Sequence, residues 1–366
     1  MHITAALTAS KGAPFELVSL ELEDPRADEV LVRIVGSGIC HTDLIVRDQL
    51  YPVPLPAVLG HEGSGVVEAV GEGVTSVAPG DHVVLTYNSC GGCRMCAHGR
   101  QAYCEQIFAY NFAGSRPDGT TTLRNGDAEV HGAFFGQSAF ATHALANARN
   151  VVKVDVEVPL ELLGPLGCGI QTGAGAVLNS LRVPAGSSIA VFGTGSVGLS
   201  AVMASVVAGS TTIIAVDLNE QRLELAEDLG ATHTINAADG DTVERIQEIT
   251  GGIGVDFTVE TTASPAVLRQ AVECLNHGGT CGHIGSAAPG TDVSLDMAVL
   301  LFGRSVRGIV QGDSVPQLFI PKLVELYKQG RFPLDRLITT YGFQDIDSAA
   351  EASEAGLAIK PVLTFS

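Results

Sequence analysis

Apolar and polar positions fall into two textures along the chain. Through the first hundred residues, short apolar runs at Val30 to Val35, Gly65 to Val70 and His82 to Thr86 are cut by turn clusters at Pro52 to Pro56 and Ala78 to Asp81. That spacing predicts brief strands in a β-rich, irregular region. The segment Asn111 to Gln137, dominated by Gly, Asp, Thr and Asn, reads as a long surface or pocket-rim loop, with order resuming over Ser138 to Ala146. From about Leu181 the pattern changes. Apolar runs at Ser188 to Phe192, Thr212 to Val216, Phe257 to Val259 and Gly279 to Ile284 alternate with helical stretches at Gly198 to Ala208, Glu220 to Leu229 and Ala266 to Leu275. Strands that are apolar throughout, set between helices, predict a parallel sheet covered on both faces, hence an α/β fold class. From Asp313 mixed helix and strand returns, ending on Lys360 to Phe365.

Composition narrows this picture. The chain has 366 residues, more than the roughly 100–200 of one ordinary domain, so two domains are expected. With 46% hydrophobic residues, 43 Gly and no Trp, it is too apolar for a disordered protein. Twenty-one Lys and Arg against 40 Asp and Glu leave a formal charge of −19, which repels phosphate backbones and anionic lipid. Nucleic acid and membranes are therefore not expected partners. No apolar run reaches the ~18–20 residues of a bilayer span, and Met1 to Ser10 lacks the basic start and apolar stretch of a signal peptide. A soluble, cytoplasmic protein is expected.

Eight cysteines are too few for a disulfide scaffold, and four of them, Cys90, Cys93, Cys96 and Cys104, fall within fifteen residues. The run Cys90-x2-Cys93-x2-Cys96-x7-Cys104, turned by Gly91 and Gly92, lets four thiols wrap one ion. Four thiolates leave no open position, so a tetrahedral zinc there is structural. A second set is dispersed: Gly38-Ile39-Cys40-His41-Thr42-Asp43, then Gly60-His61-Glu62-Gly63, then Gly167-Cys168-Gly169. Two thiolates and one imidazole leave a fourth position open for water or an alcohol oxygen, as a catalytic zinc requires. Cys274 and Cys281 read as core thiols.

The buried strand Ser188 to Phe192 runs into Gly193-Thr194-Gly195-Ser196-Val197-Gly198 and a helix. Gly193 permits the tight turn, Gly195 the approach of a pyrophosphate, and Gly198 close helix–strand packing. A second strand ends in Asp217, nineteen residues after Gly198, where a carboxylate accepts from adenosine ribose hydroxyls and repels a 2′-phosphate. NAD is expected over NADP.

With Gly60-His61-Glu62-Gly63-Ser64-Gly65-Val66-Val67-Glu68-Ala69-Val70-Gly71 and Pro79-Gly80-Asp81-His82-Val83, the sequence resembles the zinc-dependent medium-chain alcohol dehydrogenases over nearly its whole length. The resemblance implies a GroES-like, β-rich catalytic domain of residues 1–169 and 312–366, with its structural zinc lobe at 90–104. It also implies a Rossmann domain with a doubly wound parallel sheet, residues 170–311, and an active site in the cleft between the two. It assigns the catalytic zinc to Cys40, His61 and Cys168, with Glu62 an occasional ligand, and Thr42 to the alcohol. It places His41 and Lys360 near the pyrophosphate, Thr172 near the nicotinamide, and Arg222 beside Asp217. Thr86, Ile45 and Ile284 match the substrate pocket, and Ile45 stands where many relatives carry a His that ends the proton relay. Two zinc ions per chain and a homodimer or homotetramer paired near Leu301 to Gly312 are implied.

The stretches Phe135 to His143 and Leu162 to Gly173 are most similar to bacterial aryl-alcohol (benzyl alcohol) dehydrogenases, with geraniol-type enzymes close. The implied reaction is reversible, NAD-dependent oxidation of an aryl or allylic primary alcohol to its aldehyde. Two enzyme alternatives and one non-enzyme share parts of this pattern. A zinc-free quinone or enoyl reductase lacks both ligand sets. A glutathione-dependent formaldehyde dehydrogenase needs a basic residue for its anionic substrate where this chain has Phe108. From another class, a non-enzymatic NAD-binding redox sensor predicts no turnover.

Overall fold

The computed structural model describes residues 1–365. The chain packs as two units, residues 1–169, 315–328 and 334–366, and residues 170–314 and 329–333.

The first unit is built on two sheets. A five-stranded sheet runs in the order Ala57–Val58, His2–Thr8, Glu16–Leu22, Leu123–Asn125, Ala128–Val130. A larger sheet orders Val151–Lys153, His82–Leu85, Gly63–Val70, Glu29–Gly38, Lys360–Thr364 and Ile338–Gly342, with His143–Asn147 also pairing to Glu29–Gly38. The C-terminal strand thus lies beside Glu29–Gly38, registering Val362 on Gly38. This brings Lys360 to the turn that carries Cys40. Leu20, Leu44, Leu59, Phe134 and Phe140 fill one core, and Val30, Val32, Ile34, Val83 and Leu85 a second.

The segment 111–137, expected as a loop, instead adds a hairpin to the five-stranded sheet, pairing Leu123 with Val130 and Asn125 with Ala128. The two loop residues are Gly126 and Asp127, with Gly126 at φ 58°, the left-handed first position for which two-residue hairpin loops take glycine. Arg116 from the same segment is buried against Glu29, at 2.6 and 3.0 Å.

The second unit is one parallel sheet in the order His233–Asn236, Thr212–Asp217, Ser188–Phe192, Val255–Glu260, Leu275–His283, Ser305–Gly308. Its central strands Ser188–Phe192 and Thr212–Asp217 are almost wholly apolar because they are buried on both faces, whereas the edge strands His233–Asn236 and Ser305–Gly308 are not. The helix Ser196–Ala208 is buried over most of its circumference and ends on Gly209 at φ 84°, a left-handed C-cap. Among the described residues no helix is long and apolar enough to cross a membrane.

Candidate metal centre and nucleotide crevice

Cys40 is the N-cap of a short helix, His41–Arg47, whose Asp43 carboxylate accepts from the Cys40 N–H at 2.9 Å. The other Asp43 oxygen accepts from Gly60 N at 3.1 Å and lies 2.7 Å from His61 Nδ1. One fully buried carboxylate therefore ties two separated segments together and orients the imidazole. Cys168 arrives at the end of a tight 3₁₀ turn, Gly164–Gly167, which Thr86 anchors by donating its hydroxyl to Gly167 O at 2.7 Å. Gln137 completes the frame, accepting from Gly63 N at 3.0 Å and donating to His61 O at 2.9 Å.

The ligand atoms of Cys40, His61, Glu62 and Cys168 all lie within 4.8 Å of one another. His61 Nε2 is buried there without a hydrogen-bond partner, an expense a fold does not carry unless something takes the lone pair. Two thiols, an imidazole with Nδ1 fixed by a carboxylate, and an orphaned Nε2 fit a zinc ion.

Charge in the centre is arranged to match. Hydrogen bonding with Cys168 holds the Cys40 thiol well below its ordinary pKa, against burial and aided by the charge of Lys360. Burial works to lower the His61 pKa, but the Asp43 carboxylate and the Cys40 sulfur raise it well above the usual histidine value. A cation bound here displaces the protons of the thiols and of the imidazole Nε2. Burial pushes the Glu62 carboxyl up to about 7, with Lys360 opposing.

Lys360 is buried. Its ammonium donates to both Glu62 oxygens, at 3.1 and 2.9 Å, and to Ile39 O at 3.2 Å. Those three acceptors use all three of its protons. Glu62 also accepts from Gly169 N at 3.0 Å, so an ammonium and a backbone N–H share this carboxylate. Thr42 Oγ1 lies 3.9 Å from Cys40 Sγ, His41 is exposed, and Ile45 is buried.

Aromatic rings close around the imidazole. Phe135 lies 4.5 Å from the His61 ring and Phe134 lies 5.6 Å from it, edge-on. Phe112 packs on both, and Phe108, 65% exposed, packs on Phe112 at 5.6 Å. Phe135 sits at φ 51°, a strained backbone for a bulky residue that the surrounding packing imposes.

Cys90, Cys93, Cys96 and Cys104 form the second cluster of ligand atoms within 4.8 Å. Backbone N–H groups already point at its sulfurs, from Cys90 to Cys104 and from Cys93 to Cys90, both at 3.3 Å. N–H donors of Cys96 and Glu105 bring the Cys93 thiol down to about 6, whereas burial pushes Cys96 up to about 12. All eight cysteines are free. Burial raises the Cys274 and Cys281 thiols, as inert core sulfurs require.

In the second unit, Gly193 turns at φ 88°, and a Cβ on it meets Thr261. A Cβ on Gly198 collides with Gly193 O, while nothing lies within 4 Å of one on Gly195. The helix Ser196–Ala208 begins at Gly195 with no side-chain cap, so its first N–H groups face open space where a phosphate fits. Asp217 accepts from Thr194 N and Oγ1 at 2.6 and 2.8 Å, from Leu218 N at 2.8 Å and from Asn219 N at 3.0 Å. Burial works to raise its pKa, but these donors hold it below the usual range. Arg222 is half-buried in the first turn of the next helix, its N–H on Asn219. Thr172 is buried and Ile284 is half-buried.

Residues 26–156 match the family described as alcohol dehydrogenase GroES-like domain, and residues 196–329 that described as zinc-binding dehydrogenase. Geraniol dehydrogenase from Castellaniella defragrans is 48% identical over 365 residues, 99% of this chain and 97% of that one. Among solved structures, a zinc-binding domain alcohol dehydrogenase protein from Burkholderia ambifaria is 57% identical at TM-score 0.98, covering 100% of this chain and 99% of that one. Benzyl alcohol dehydrogenase from Acinetobacter calcoaceticus is 51% identical at TM-score 0.97, covering 100% of both chains.

Proposed function

Since the chain belongs to the zinc-dependent medium-chain alcohol dehydrogenases, we propose that it oxidises an aryl or allylic primary alcohol to the aldehyde with NAD, reversibly. The observation that carries the substrate reading is the seam of rings from His61 through Phe135 and Phe112 to Phe108. A flat conjugated substrate against such rings gains stacking of about 0.5–1.5 kcal/mol beyond its buried area, whereas ethanol buries almost nothing. The likeness to a geraniol and a benzyl alcohol dehydrogenase, both near half identity, supports the same pair of substrate classes.

Zinc held by Cys40, His61 and Cys168 supplies a Lewis acid that makes the alcohol proton easier to remove, and NAD supplies the hydride acceptor. The chain's own residues do the rest. Asp43 fixes Nδ1–H of His61, so that Nε2 offers its lone pair. Lys360 balances the buried Glu62 charge, leaving a centre whose anionic ligands are the two sulfurs. Thr42 offers a hydroxyl that both accepts and donates, which suits it to hold the alcohol oxygen and pass its proton on. Phe134 and Phe135 keep water from the imidazole. In the nucleotide unit, the Asp217 carboxylate favours ribose hydroxyls over a 2′-phosphate.

We extend the reading to two zinc ions per chain and to pairing of two copies through the second unit. Support for pairing is the strand Ser305–Gly308, exposed at the sheet edge, flanked by Met297 at 84% and Leu301 at 79% exposure. An open apolar edge of this kind invites another strand.

Initial rates on benzyl, cinnamyl, geranyl and ethyl alcohols with NAD and NADP test the assignment. Benzyl or an allylic alcohol exceeds ethanol by at least about a hundredfold in kcat/KM, the few kcal/mol of ring burial expressed in the transition state. Equal values overturn the substrate reading, and a preference for NADP overturns the cofactor reading.

A further inference from the structure

We propose that His283, held by Glu260, is a hydrogen-bond acceptor for the nicotinamide nucleoside half of the cofactor. The inference rests on the NAD reading above and adds a binding residue to it.

The register of the parallel sheet aligns Val216, Phe192, Glu260 and His283 in one row across four neighbouring strands, at their carboxyl ends. Asp217 follows Val216, and the Gly193 turn follows Phe192. Strand order runs outward in one direction from Ser188–Phe192 through Thr212–Asp217 and in the other through Val255–Glu260 to Leu275–His283, which makes the gap beside Ser188–Phe192 the switch point where open α/β sheets bind ligands. A pyrophosphate seated on the Gly193 turn, with the adenosine ribose toward Asp217, sends the other nucleoside toward Glu260 and His283. Three strand spacings, about 14 Å, separate the two ends of the row, a span suited to an extended dinucleotide.

Glu260 is fully buried. One of its oxygens accepts from Thr262 N and Oγ1 at 2.5 and 2.6 Å, and the other lies 2.9 Å from His283 Nδ1. A carboxylate accepts, so Nδ1–H donates to it, and in that tautomer Nε2 presents a lone pair. The His283 side chain is 31% exposed, and among the described residues no hydrogen bond reaches its Nε2. A buried carboxylate is costly to place; here it fixes one tautomer of a ring at the mouth of the crevice. The nicotinamide nucleoside offers two kinds of donor to that lone pair, the carboxamide NH2 and the ribose hydroxyls.

The test titrates wild type, His283→Val and Glu260→Gln with NADH, with the reduced 3-acetylpyridine analogue and with ADP, recording thermal midpoints alongside. His283→Val weakens NADH by about 5- to 30-fold, the value of one hydrogen bond, and leaves ADP within about twofold. If the analogue, which has a methyl in place of the amide nitrogen, binds wild type and His283→Val alike, the donor is the carboxamide; if it weakens as NADH does, the donor is a ribose hydroxyl. In Glu260→Gln the amide oxygen stays with the two Thr262 donors and the NH2 turns to Nδ1. That forces the proton onto Nε2, so NADH weakens as in His283→Val if the donor is the carboxamide NH2, whereas a ribose hydroxyl accepts from Nε2–H and NADH binds nearly as in wild type. Unchanged NADH affinity in His283→Val, or equal loss of NADH and ADP, overturns the inference. Wild type that binds neither NADH nor ADP overturns the NAD reading itself.

Discussion

The two cysteine-bearing clusters of the first unit reach similar donor sets by opposite routes. Cys90, Cys93, Cys96 and Cys104 are clipped together by one local loop, three of them only partly buried, and backbone N–H groups of the same loop steady the sulfurs. Cys40, His61 and Cys168 come from a helix cap, a strand edge and a 3₁₀ turn, and side chains from elsewhere support them: Asp43, Lys360 and Gln137. The local cluster presents four sulfurs that close on an ion. The dispersed one presents two sulfurs and an imidazole beside a carboxylate already paired with Lys360, a set that would leave a bound zinc one position open. Closure follows from the local loop, and openness has to be maintained by the surrounding fold.

Cys168→Ser breaks this contrast most sharply. Turnover falls by at least about a thousandfold, several kcal/mol of lost Lewis-acid stabilisation, while the folded protein keeps the zinc of the four-cysteine lobe. Elemental analysis beside a thermal scan checks it; full zinc content or full activity refutes the ligand assignment. Asp43→Asn probes the supporting shell without touching a ligand. The amide cannot accept from Cys40 N, Gly60 N and His61 Nδ1 at once, so zinc affinity or kcat drops by about 10- to 100-fold, read by competition with a chelator.

In the local cluster the same chemistry has a different readout. Cys96→Ser opens a closed site far from the reacting atoms, so the thermal midpoint falls by several degrees. The kcat of the surviving folded fraction stays within about twofold. A loss of kcat with an unchanged midpoint contradicts the division of roles.

The difference between the clusters also explains what was readable beforehand. Four cysteines in fifteen residues announce themselves, as do the Gly-rich turn after an apolar strand and the carboxylate Asp217 at the end of the next one. The parallel sheet was legible because its central strands Ser188–Phe192 and Thr212–Asp217 are apolar almost throughout. Asp43 stood in view beside Cys40, but its role depends on Gly60 and His61 being folded onto it, and only the N-cap spacing Cys40-x-x-Asp43 hinted at it. The pairing of Lys360 with Glu62 was not legible, because a lysine matched by position says nothing of which acceptor the C-terminal strand delivers it to. The rings of Phe134 and Phe135 were hidden in a polar-looking segment, and the Glu260–His283 pair has no local signal, since its partners are joined by sheet register alone.

The smallest effect separates two neighbouring glycines of the local cluster. Gly91 has φ 71°, and a Cβ added there lies 2.8 Å from Arg149 Nη1. At Gly92 the backbone is not left-handed and nothing lies within 4 Å of an added Cβ. The arginine end is flexible and can move, so the cost of Gly91→Ala is mainly the left-handed backbone, about 1–2 kcal/mol. It is spent on the turn that sets Cys90 against Cys93. Gly92→Ala meets no obstacle and reduces the freedom of the unfolded chain, so it is neutral or slightly stabilising. Thermal midpoints should therefore drop by a few degrees for Gly91→Ala and hold or rise slightly for Gly92→Ala, with kcat on benzyl alcohol the same in both. If the two variants melt alike, the turn does not need its left-handed residue, and the local cluster is less rigid than its backbone geometry requires.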